Sequence, residues 1–393
     1  MTGFPKWYPF THHEPRYYPY VGNFSEGGNS SWDFTRFNPQ FWQHYEQRVQ
    51  DVVALGVVPE IILFHPYDGG HWGFDRMNQL CGKAGTPSAS QCANTTAAAA
   101  ECLWCDENYI KYMVARVSAY GTWWSMANEW DLMKKTVEQW DTLFQTLQAA
   151  DAAHNRERSI HNCMKYYNNS QPWITHVSLQ GHDVNQLDMA KAVWTTKTPK
   201  PIVWDEVEYE GNITYGWGAL SGYTESRRAW TAFTNQVAMA GHSNTNLPEA
   251  DYQACLGNGT DPNNVNCNAI MWWNKGDLLH GESPARLEYY RQYISGELGV
   301  SVPPLELTRS ARLGGGEENG TYSLYAQDGS YHLLFWRNNN ASVEIDLGVE
   351  GSHVATQIDW WGMKMVPMSG GKPLSGKVTL TRRRAVATHS FSL

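Results

Sequence analysis

Short apolar runs alternate with amphipathic segments along most of the chain, and this alternation restricts the fold more than any other feature. The first such segment, Pro39–Leu55, has apolar residues at helical spacing, and the apolar run Val57–Phe64 follows it. We predict four further helices, over Glu107–Ala119, Lys134–Ala150, Thr224–Ala240 and Pro284–Gly296, and further strands at the run beginning with Trp123 and over Arg158–His161, Thr175–Gln180, Pro201–Asp205 and Asn268–Trp273. Strands that alternate with helices pair in parallel, so the sequence predicts a parallel α/β barrel or sheet.

The sequence changes in character near Val300. Short apolar runs are then separated by Gly, Asn and Asp, as in Tyr322–Ala326, Tyr331–Phe335, Val343–Leu347 and Val378–Thr381. Such spacing is typical of an all-β domain. We therefore predict two domains, an α/β domain over residues 1–299 and a small β-sandwich over residues 300–393.

The predicted strand at Trp123 ends abruptly in an amide and a carboxylate, Asn128 and Glu129. An ionised carboxylate flanked by tryptophan is costly to desolvate. In a barrel of alternating strands and helices, active sites are built at the carboxyl ends of the strands. We therefore predict that Glu129 is a catalytic acid/base.

A second predicted strand ends the same way, because acids at positions 205, 206, 208 and 210 follow Pro201–Trp204. Glycoside hydrolysis needs two carboxylates, one to protonate the leaving oxygen and one to attack the anomeric carbon or activate water. Strand alternation puts Ile202, Trp204 and Glu206 on one face, so we rank Glu206 first, followed by Glu210, Glu208 and Asp205. The alternative is that these acids are surface or helix-start charges, which suits Glu208 but not two strands that both end in acids.

Other polar side chains fall at the predicted strand ends and are expected to bind substrate. These are His65, Asp68, His161, Asn162, His176 and Gln180, with Trp217, His242 and Trp273 as stacking or hydrogen-bonding residues. A His-Pro turn capped by Asp is an equal alternative for the first two. For a single histidine, a structural role is the more common one.

Composition limits the partners. The net charge is −9 with 30 Lys and Arg and no basic cluster, so nucleic acid and anionic membranes are not expected partners. No apolar run reaches the length of a bilayer span, since Asp51–Phe64 is interrupted by Gly56, Pro59 and Glu60. The 19 Trp and 21 Tyr serve core packing, or stacking against sugar rings.

Cysteines and glycosylation motifs indicate an extracellular protein. Cys81, Cys92, Cys102 and Cys105 lie in one loop-like stretch, Cys255 and Cys267 flank another, and Cys163 is left over. We predict local disulfides rather than zinc, because no histidine has ligand spacing within the first stretch. Eight Asn-X-Ser/Thr motifs point the same way, at Asn23, Asn29, Asn94, Asn168, Asn212, Asn258, Asn319 and Asn340. No apolar signal core follows Met1, so secretion is expected with the signal segment absent from this chain.

The order of motifs resembles the clan A glycoside hydrolases, and more narrowly the apiosidase-like family often labelled as collagenase-associated. The matching segments are Phe4–Tyr8, His65–Asp68, Trp123–Glu129, Ser159–Asn162, Trp173–Gln180, Asp205–Asn212, Trp272–Trp273 and Gly281–Pro284. The resemblance covers almost all of residues 1–300 and implies a (β/α)8 TIM-type barrel. Met1 stands almost where the family's second strand begins. Either the chain is a fragment, or the barrel lacks its first strand.

The resemblance also implies roles. Glu129 matches the acid/base and Glu206 the nucleophile of a retaining mechanism, while Asn128 matches the amide that holds the sugar 2-hydroxyl. Tyr209 matches a tyrosine that hydrogen-bonds the nucleophile. The two carboxyl groups should lie roughly 5–5.5 Å apart for retention, and about 9 Å apart for inversion.

We therefore expect a secreted retaining glycoside hydrolase that needs no metal and no cofactor, because His12–Glu14 and His65–His71 lack a second cluster at ligand spacing. One alternative is a carbohydrate-binding protein without turnover. A peptidase is the other, but the sequence has no Ser/His/Asp, Cys/His or zinc motif to support it. The sugar, the linkage and the oligomeric state are left open.

Overall fold

The computed structural model describes residues 18–23, 31–66, 103–181, 200–211, 220–234, 237–239, 281–302, 307–309, 321–326, 328, 330–336, 342–347, 353–381 and 390–392. These residues divide into two compact units. The first contains the described residues up to Gln180 together with residues 200–201, and the second contains Gly181 and the residues from Ile202 onward. The predicted boundary at residues 299 and 300 stays a prediction.

Five of the described segments are α-helices, and each lies close to a predicted one. They are α1 (Pro39–Ala54), α2 (Trp104–Val117), α3 (Val137–Ala150), α4 (Gly222–Thr234) and α5 (Ser283–Ile294). Side-chain caps fix the N-termini of two of these helices. Asn38 caps α1 by accepting from Gln40 N, and Thr136 forms a reciprocal capping box with Gln139 at the start of α3.

The predicted extension of the fourth helix to Ala240 is wrong. Helix α4 ends at Thr234, and Ala238–Met239 forms a short strand instead. Those two residues pair in parallel with Val203 and Trp204. Strand pairing outweighs the weak helical preference of a short segment.

The first unit contains a parallel sheet that the alternation predicted. Its strands are β3 (Glu60–Phe64), β4 (Trp123–Ala127) and β5 (Arg158–Ser159), in that order, and β6 (Val177–Gln180) follows along the chain. Phe64 lies opposite Ala127, so the carboxyl ends of β3 and β4 coincide. Before them, β1 (Tyr20–Asn23) and β2 (Ser31–Phe37) form an antiparallel pair that the irregular sequence did not predict.

An aromatic core holds these elements together. Trp42 from α1, Phe64 from β3, Trp124 from β4 and Trp140 from α3 are all fully buried in it. Burying such side chains is worth about 1.5–3 kcal/mol each. The tryptophans therefore serve packing in this unit at least as much as ligand binding.

The second unit joins parallel and antiparallel strands. Strands β7 (Ile202–Glu206) and β8 (Ala238–Met239) are parallel. The rest are antiparallel: β9 (Leu307–Arg309), β10 (Thr321–Ala326), β11 (His332–Trp336), β12 (Ser342–Asp346), β13 (Thr356–Asp359), β14 (Lys364–Pro367), β15 (Lys377–Thr381) and β16 (Ser390–Ser392). Six form one sheet in the order β14-β13-β16-β11-β10-β9, and β12 pairs with β15.

Helices α4 and α5 share a core with the large antiparallel sheet. Trp230 and Tyr293 are buried together with Leu324, Leu333 and Trp360. The strands after residue 300 are therefore packed on helices from the preceding segment.

The fold is mixed α/β, as the sequence predicted. The described residues do not show a closed barrel, so the eight-stranded barrel and the β-sandwich stay predictions, and Asn268–Trp273 lies outside those residues. Within the same ranges, no helix is long and apolar enough to cross a membrane.

Candidate active site

Strand pairing brings polar residues of three strand ends together around Glu129. The backbone N–H of Asn128, directly after β4, donates to Phe64 O at 2.9 Å, so it lies beside the end of β3, where His65 follows. On the other side, His161 N donates to Ala127 O at 2.9 Å. The structure thus places Asn128, His65 and His161 at the same edge of the sheet, after three neighbouring strands, where the sequence expected them.

The Glu129 carboxyl group is buried and fixed. The side chain is 6% exposed, and its Oε1 accepts a hydrogen bond from Gln180 Nε2 at 2.9 Å. Its backbone has φ 45° and ψ 53°, in the left-handed region. A non-glycine residue held there costs on the order of 1–3 kcal/mol, and such residues cluster at functional sites. The backbone N–H lies 3.5 Å from His161 Nδ1, which accepts from it.

An aspartate two residues further on fixes the neighbouring loop. The carboxylate of Asp131 accepts from the backbone N–H groups of Cys163, Met164 and Lys165, at 2.7, 2.9 and 3.0 Å. Trp130 Nε1 also donates to Lys165 O at 3.0 Å. Sequence reasoning missed this role of Asp131, and the only sequence signal for it was its position just after Glu129.

His65 and Asn162 are buried beside this loop and strand end. Burial lowers the pKa of His65 to about 3, so its ring is neutral at ordinary pH. Asn162 uses its amide internally, because Oδ1 accepts from Gln180 N at 3.1 Å and Nδ2 donates to Cys163 O at 3.2 Å. These two contacts fix the orientation of the amide, which keeps a second N–H and a second lone pair on Oδ1.

His176 lies at the opposite end of the strands from Glu129. It precedes β6, and its Nε2 is 3.9 Å from Oε1 of Glu60, the first residue of β3. Ser159 also donates to Glu60, at 3.0 Å, and the ring of Trp123 lies against the imidazole. Burial lowers the pKa of His176 to about 4 and raises the pKa of Glu60. The structure therefore does not bring His176 together with the other candidate residues.

The second strand end presents Glu206, the last residue of β7. Its side chain is half-buried, and its Oε1 accepts a hydrogen bond from the hydroxyl of Tyr209. Its backbone oxygen accepts from Gly181 N at 3.1 Å, and Trp204 Nε1 donates to Gly181 O at 2.9 Å. Tyr209 thus contacts the residue that the resemblance assigned to it.

Glu210, ranked second for the nucleophile, is occupied by helix α5. Its two carboxylate oxygens accept from the backbone N–H groups of Glu282 and Ser283, each at 2.8 Å. Carboxylates at a helix N-terminus satisfy unpaired donors and complement the helix dipole. A Cβ at Gly222 or Gly281 would clash with this carboxylate, which explains glycine at both positions.

Glu208, ranked third, is paired with a cation. Arg228 Nη1 lies 2.8 Å from Glu208 Oε2 and also donates to Val207 O. The guanidinium lies over the ring of Trp204. Of these three glutamates, Glu206 is the one at the strand end itself.

Comparison with known protein families decides the relationship. Residues 11–243, more than half of the chain, match the family described as "Apiosidase-like, catalytic domain". The chain belongs to this family. The resemblance read from the motifs is confirmed. The comparison with curated proteins finds no match.

Solved structures agree with the apiosidase-like assignment. A provisionally assigned glycoside hydrolase from Bacteroides vulgatus ATCC 8482 is 26% identical, with a TM-score of 0.74 over 99% of this chain and 71% of that one. A second structure, described as a glycoside hydrolase, is 12% identical, with a TM-score of 0.65 over 95% of this chain and 83% of that one. The second likeness concerns the fold alone. By family and by structure, this is a glycoside hydrolase-like protein.

Several expectations for the apiosidase-like chain lie outside the described residues. These are the roles of Asp68, Trp217, His242 and Trp273, and the pairing of Cys81, Cys92, Cys102, Cys255 and Cys267. Disulfides therefore stay a prediction. In the described ranges, no group of three or more His, Cys, Asp or Glu side chains is placed to hold a metal ion.

Proposed function

We propose that the protein is a retaining glycoside hydrolase that cleaves an O-glycosidic bond with Glu129 as acid/base and Glu206 as nucleophile. The observation that carries this proposal is the state of Glu129. Glu129 follows a parallel strand, and its backbone is in the left-handed region. Its carboxyl group is buried, and one carboxyl oxygen accepts a hydrogen bond from the side-chain amide of Gln180. A non-glycine residue held in the left-handed region costs on the order of 1–3 kcal/mol, and such residues cluster at functional sites.

The reaction divides between the two acids. Protonated Glu129 gives its proton to the glycosidic oxygen, and the C–O bond to the leaving group breaks as Glu206 Oε bonds to the anomeric carbon. Glu129, now ionised, takes a proton from water, whose oxygen bonds to the anomeric carbon as the bond to Glu206 breaks. The donor Tyr209 stabilises Glu206 as a carboxylate when it is released.

The other acids at the second strand end support Glu206 by their own contacts. Glu210 is bound to the start of α5, and Glu208 is paired with Arg228. Neither could attack a sugar without giving up these contacts. The mechanism further requires the Glu129 and Glu206 carboxyl groups to lie roughly 5–5.5 Å apart, which a crystal structure with bound ligand would measure.

The test is hydrolysis of a panel of aryl glycosides and of plant and algal polysaccharides, with the anomeric configuration of the first product followed by NMR. Retention is expected. In Glu206→Ala, azide takes the place of the nucleophile, so it should restore turnover and give a glycosyl azide of inverted configuration. In Glu129→Ala, azide takes the place of the activated water and attacks the glycosyl-enzyme, so the product should be a glycosyl azide of retained configuration. A folded wild-type protein that binds sugars but hydrolyses none would instead indicate a carbohydrate-binding protein.

We also propose that the protein is secreted and glycosylated. Asn168, in one of the eight acceptor motifs, is exposed. The mass of the protein expressed in a eukaryotic secretory host, before and after enzymatic removal of N-glycans, would test this proposal.

A further inference from the structure

Gln180, the last residue of β6, is placed to act on Glu129 rather than on substrate. Its side chain is 9% exposed, and its Nε2 donates to Glu129 Oε1 at 2.9 Å. The sequence suggested a substrate contact for this glutamine. Two features indicate a different role: the backbone N–H of Gln180 is fixed by the side chain of Asn162, and its side-chain Oε1 is buried.

The position of Gln180 is fixed by a closed chain of contacts that begins and ends near Glu129. Gln180 N donates to Asn162 Oδ1 at 3.1 Å, and Asn162 Nδ2 donates to Cys163 O at 3.2 Å. Cys163 N in turn donates to Asp131 Oδ1 at 2.7 Å. Since Asp131 is two residues from Glu129, the same loop holds both partners of the amide–carboxyl contact.

The other polar atom of the amide, Gln180 Oε1, is buried, and none of the described residues donates a hydrogen bond to it. Leaving a buried acceptor unpaired is unfavourable. The two polar atoms of a glutamine amide are attached to the same carbon, and a half-turn of the amide exchanges them. This amide can therefore offer either a donor or an acceptor to Glu129 from one position.

We propose that Gln180 is a positioning residue that hydrogen-bonds Glu129 in both of its protonation states. It presents Nε2 to the carboxylate and, after a half-turn, Oε1 to the O–H of the carboxylic acid. The inference rests on the proposed function, in which Glu129 loses its proton to the leaving oxygen and regains one from water. The amide follows these two transfers without giving or taking a proton.

A neutral side chain suits this position better than a charged one. A lysine or arginine beside Glu129 would favour the carboxylate, and a second carboxylate would favour the acid. Either would slow one half of a double displacement that uses both states. A glutamine amide favours neither state strongly.

The first test compares Gln180→Glu and Gln180→Met with wild type on glycosides with good and poor leaving groups. In Gln180→Glu, the second carboxylate opposes ionisation of Glu129, so the alkaline limb of the kcat/KM profile should move up by about one pH unit. In Gln180→Met, kcat/KM on the poor leaving group should fall by about tenfold or more. It should fall less on the activated one, because an activated leaving group needs little proton transfer.

The matched control is Gln357→Met, which changes an equally buried glutamine on β13 and should leave both substrates and the pH profile unchanged. A merely structural role of Gln180 would lower kcat/KM equally for both leaving groups. That result, with wild-type pH limbs in a folded Gln180→Glu protein, overturns the inference.

A second measurement does not depend on turnover. The side-chain amide signals of Gln180, assigned by their loss in Gln180→Met, are followed by NMR during a pH titration of the whole protein. They should shift with pH in wild type and lose that shift in Glu129→Gln. Amide signals that do not respond to pH in wild type overturn the inference. A wild-type protein that shows the shift but hydrolyses no glycoside overturns the proposed function instead.

Discussion

The two strand ends that carry the candidate acids are built differently. After β4, Glu129 has a left-handed backbone and a buried carboxyl group, and its oxygen accepts from the neutral amide of Gln180. At the end of β7, Glu206 is the last regular strand residue, is half-buried and accepts from the hydroxyl of Tyr209.

This difference matches what each role demands. An acid/base must be held in place while its charge changes, which a dry site with a neutral partner allows. A nucleophile must be ionised before it attacks, which partial solvent exposure and a hydroxyl donor favour. The proposed division of roles between the two acids rests on this difference in surroundings.

Removing each acid in turn tests whether the two strand ends have different roles, and it should have the largest effect. Glu206→Ala should lower kcat by about 10⁴-fold or more on every glycoside, because no covalent intermediate can form. Glu129→Ala should lower kcat/KM strongly on poor leaving groups but far less on dinitrophenyl glycosides, which depart without a proton. Steady-state kinetics across a series of leaving groups measure the contrast.

If the dependence on the leaving group appears in Glu206→Ala instead, the two roles are exchanged. Circular dichroism and thermal melting of both variants serve as the control for folding. An equal dependence in both variants would contradict any division of labour between the strand ends.

The next largest effect should separate Glu206 from its neighbour Glu210 by stability. Removing the carboxylate in Glu210→Ala leaves the buried N–H of Ser283 and the adjacent N–H of Glu282, at the start of α5, without their acceptor and should lower the free energy of unfolding by about 3 kcal/mol. Urea unfolding measures the change, with Glu344→Ala on the exposed face of β12 as the control. A stable Glu210→Ala protein that has lost all activity would make Glu210 the better nucleophile.

The dryness of the first strand end can be tested through His65. Its pKa is about 3 in the folded protein and 6.5 ordinarily, so the unfolded chain binds more protons between those values. Stability is therefore full above about pH 6.5 and is lost as the pH falls, by about 2 kcal/mol between pH 7 and pH 5 from this residue. Chemical unfolding at both pH values should show that loss in wild type.

The same loss should be smaller by about that amount in His65→Gln, which cannot titrate. His176→Gln is the matched comparison, and it should reduce the loss of stability by a similar amount, because burial also lowers the pKa of that histidine, to about 4. An unchanged pH dependence in His65→Gln would mean that the ring is solvated, and the first strand end would then be no drier than the second.

The sequence predicted the five helices and the main strands because apolar spacing is a local signal. It also placed Glu129 and Glu206 at strand ends. It did not predict that Glu210 caps α5, since that contact joins residues 72 positions apart. Nor did it show at which end of β6 His176 lies, because the local pattern of a short strand is the same for a polar residue at either end.

The smallest effect expected is at Tyr209, the partner of Glu206. Tyr209→Phe removes the hydroxyl that donates to Oε1 but keeps the ring, so kcat should fall by only about tenfold, which corresponds to about 1.4 kcal/mol. Without that donor the carboxylate is less stabilised, so the acid limb of the kcat profile should move to higher pH. Gln180→Met should not move that limb, because its amide contacts Glu129. A Tyr209→Phe protein with an unchanged acid limb would show that the hydroxyl orients Glu206 without tuning its charge, and the two partners would then differ less than their chemistry suggests.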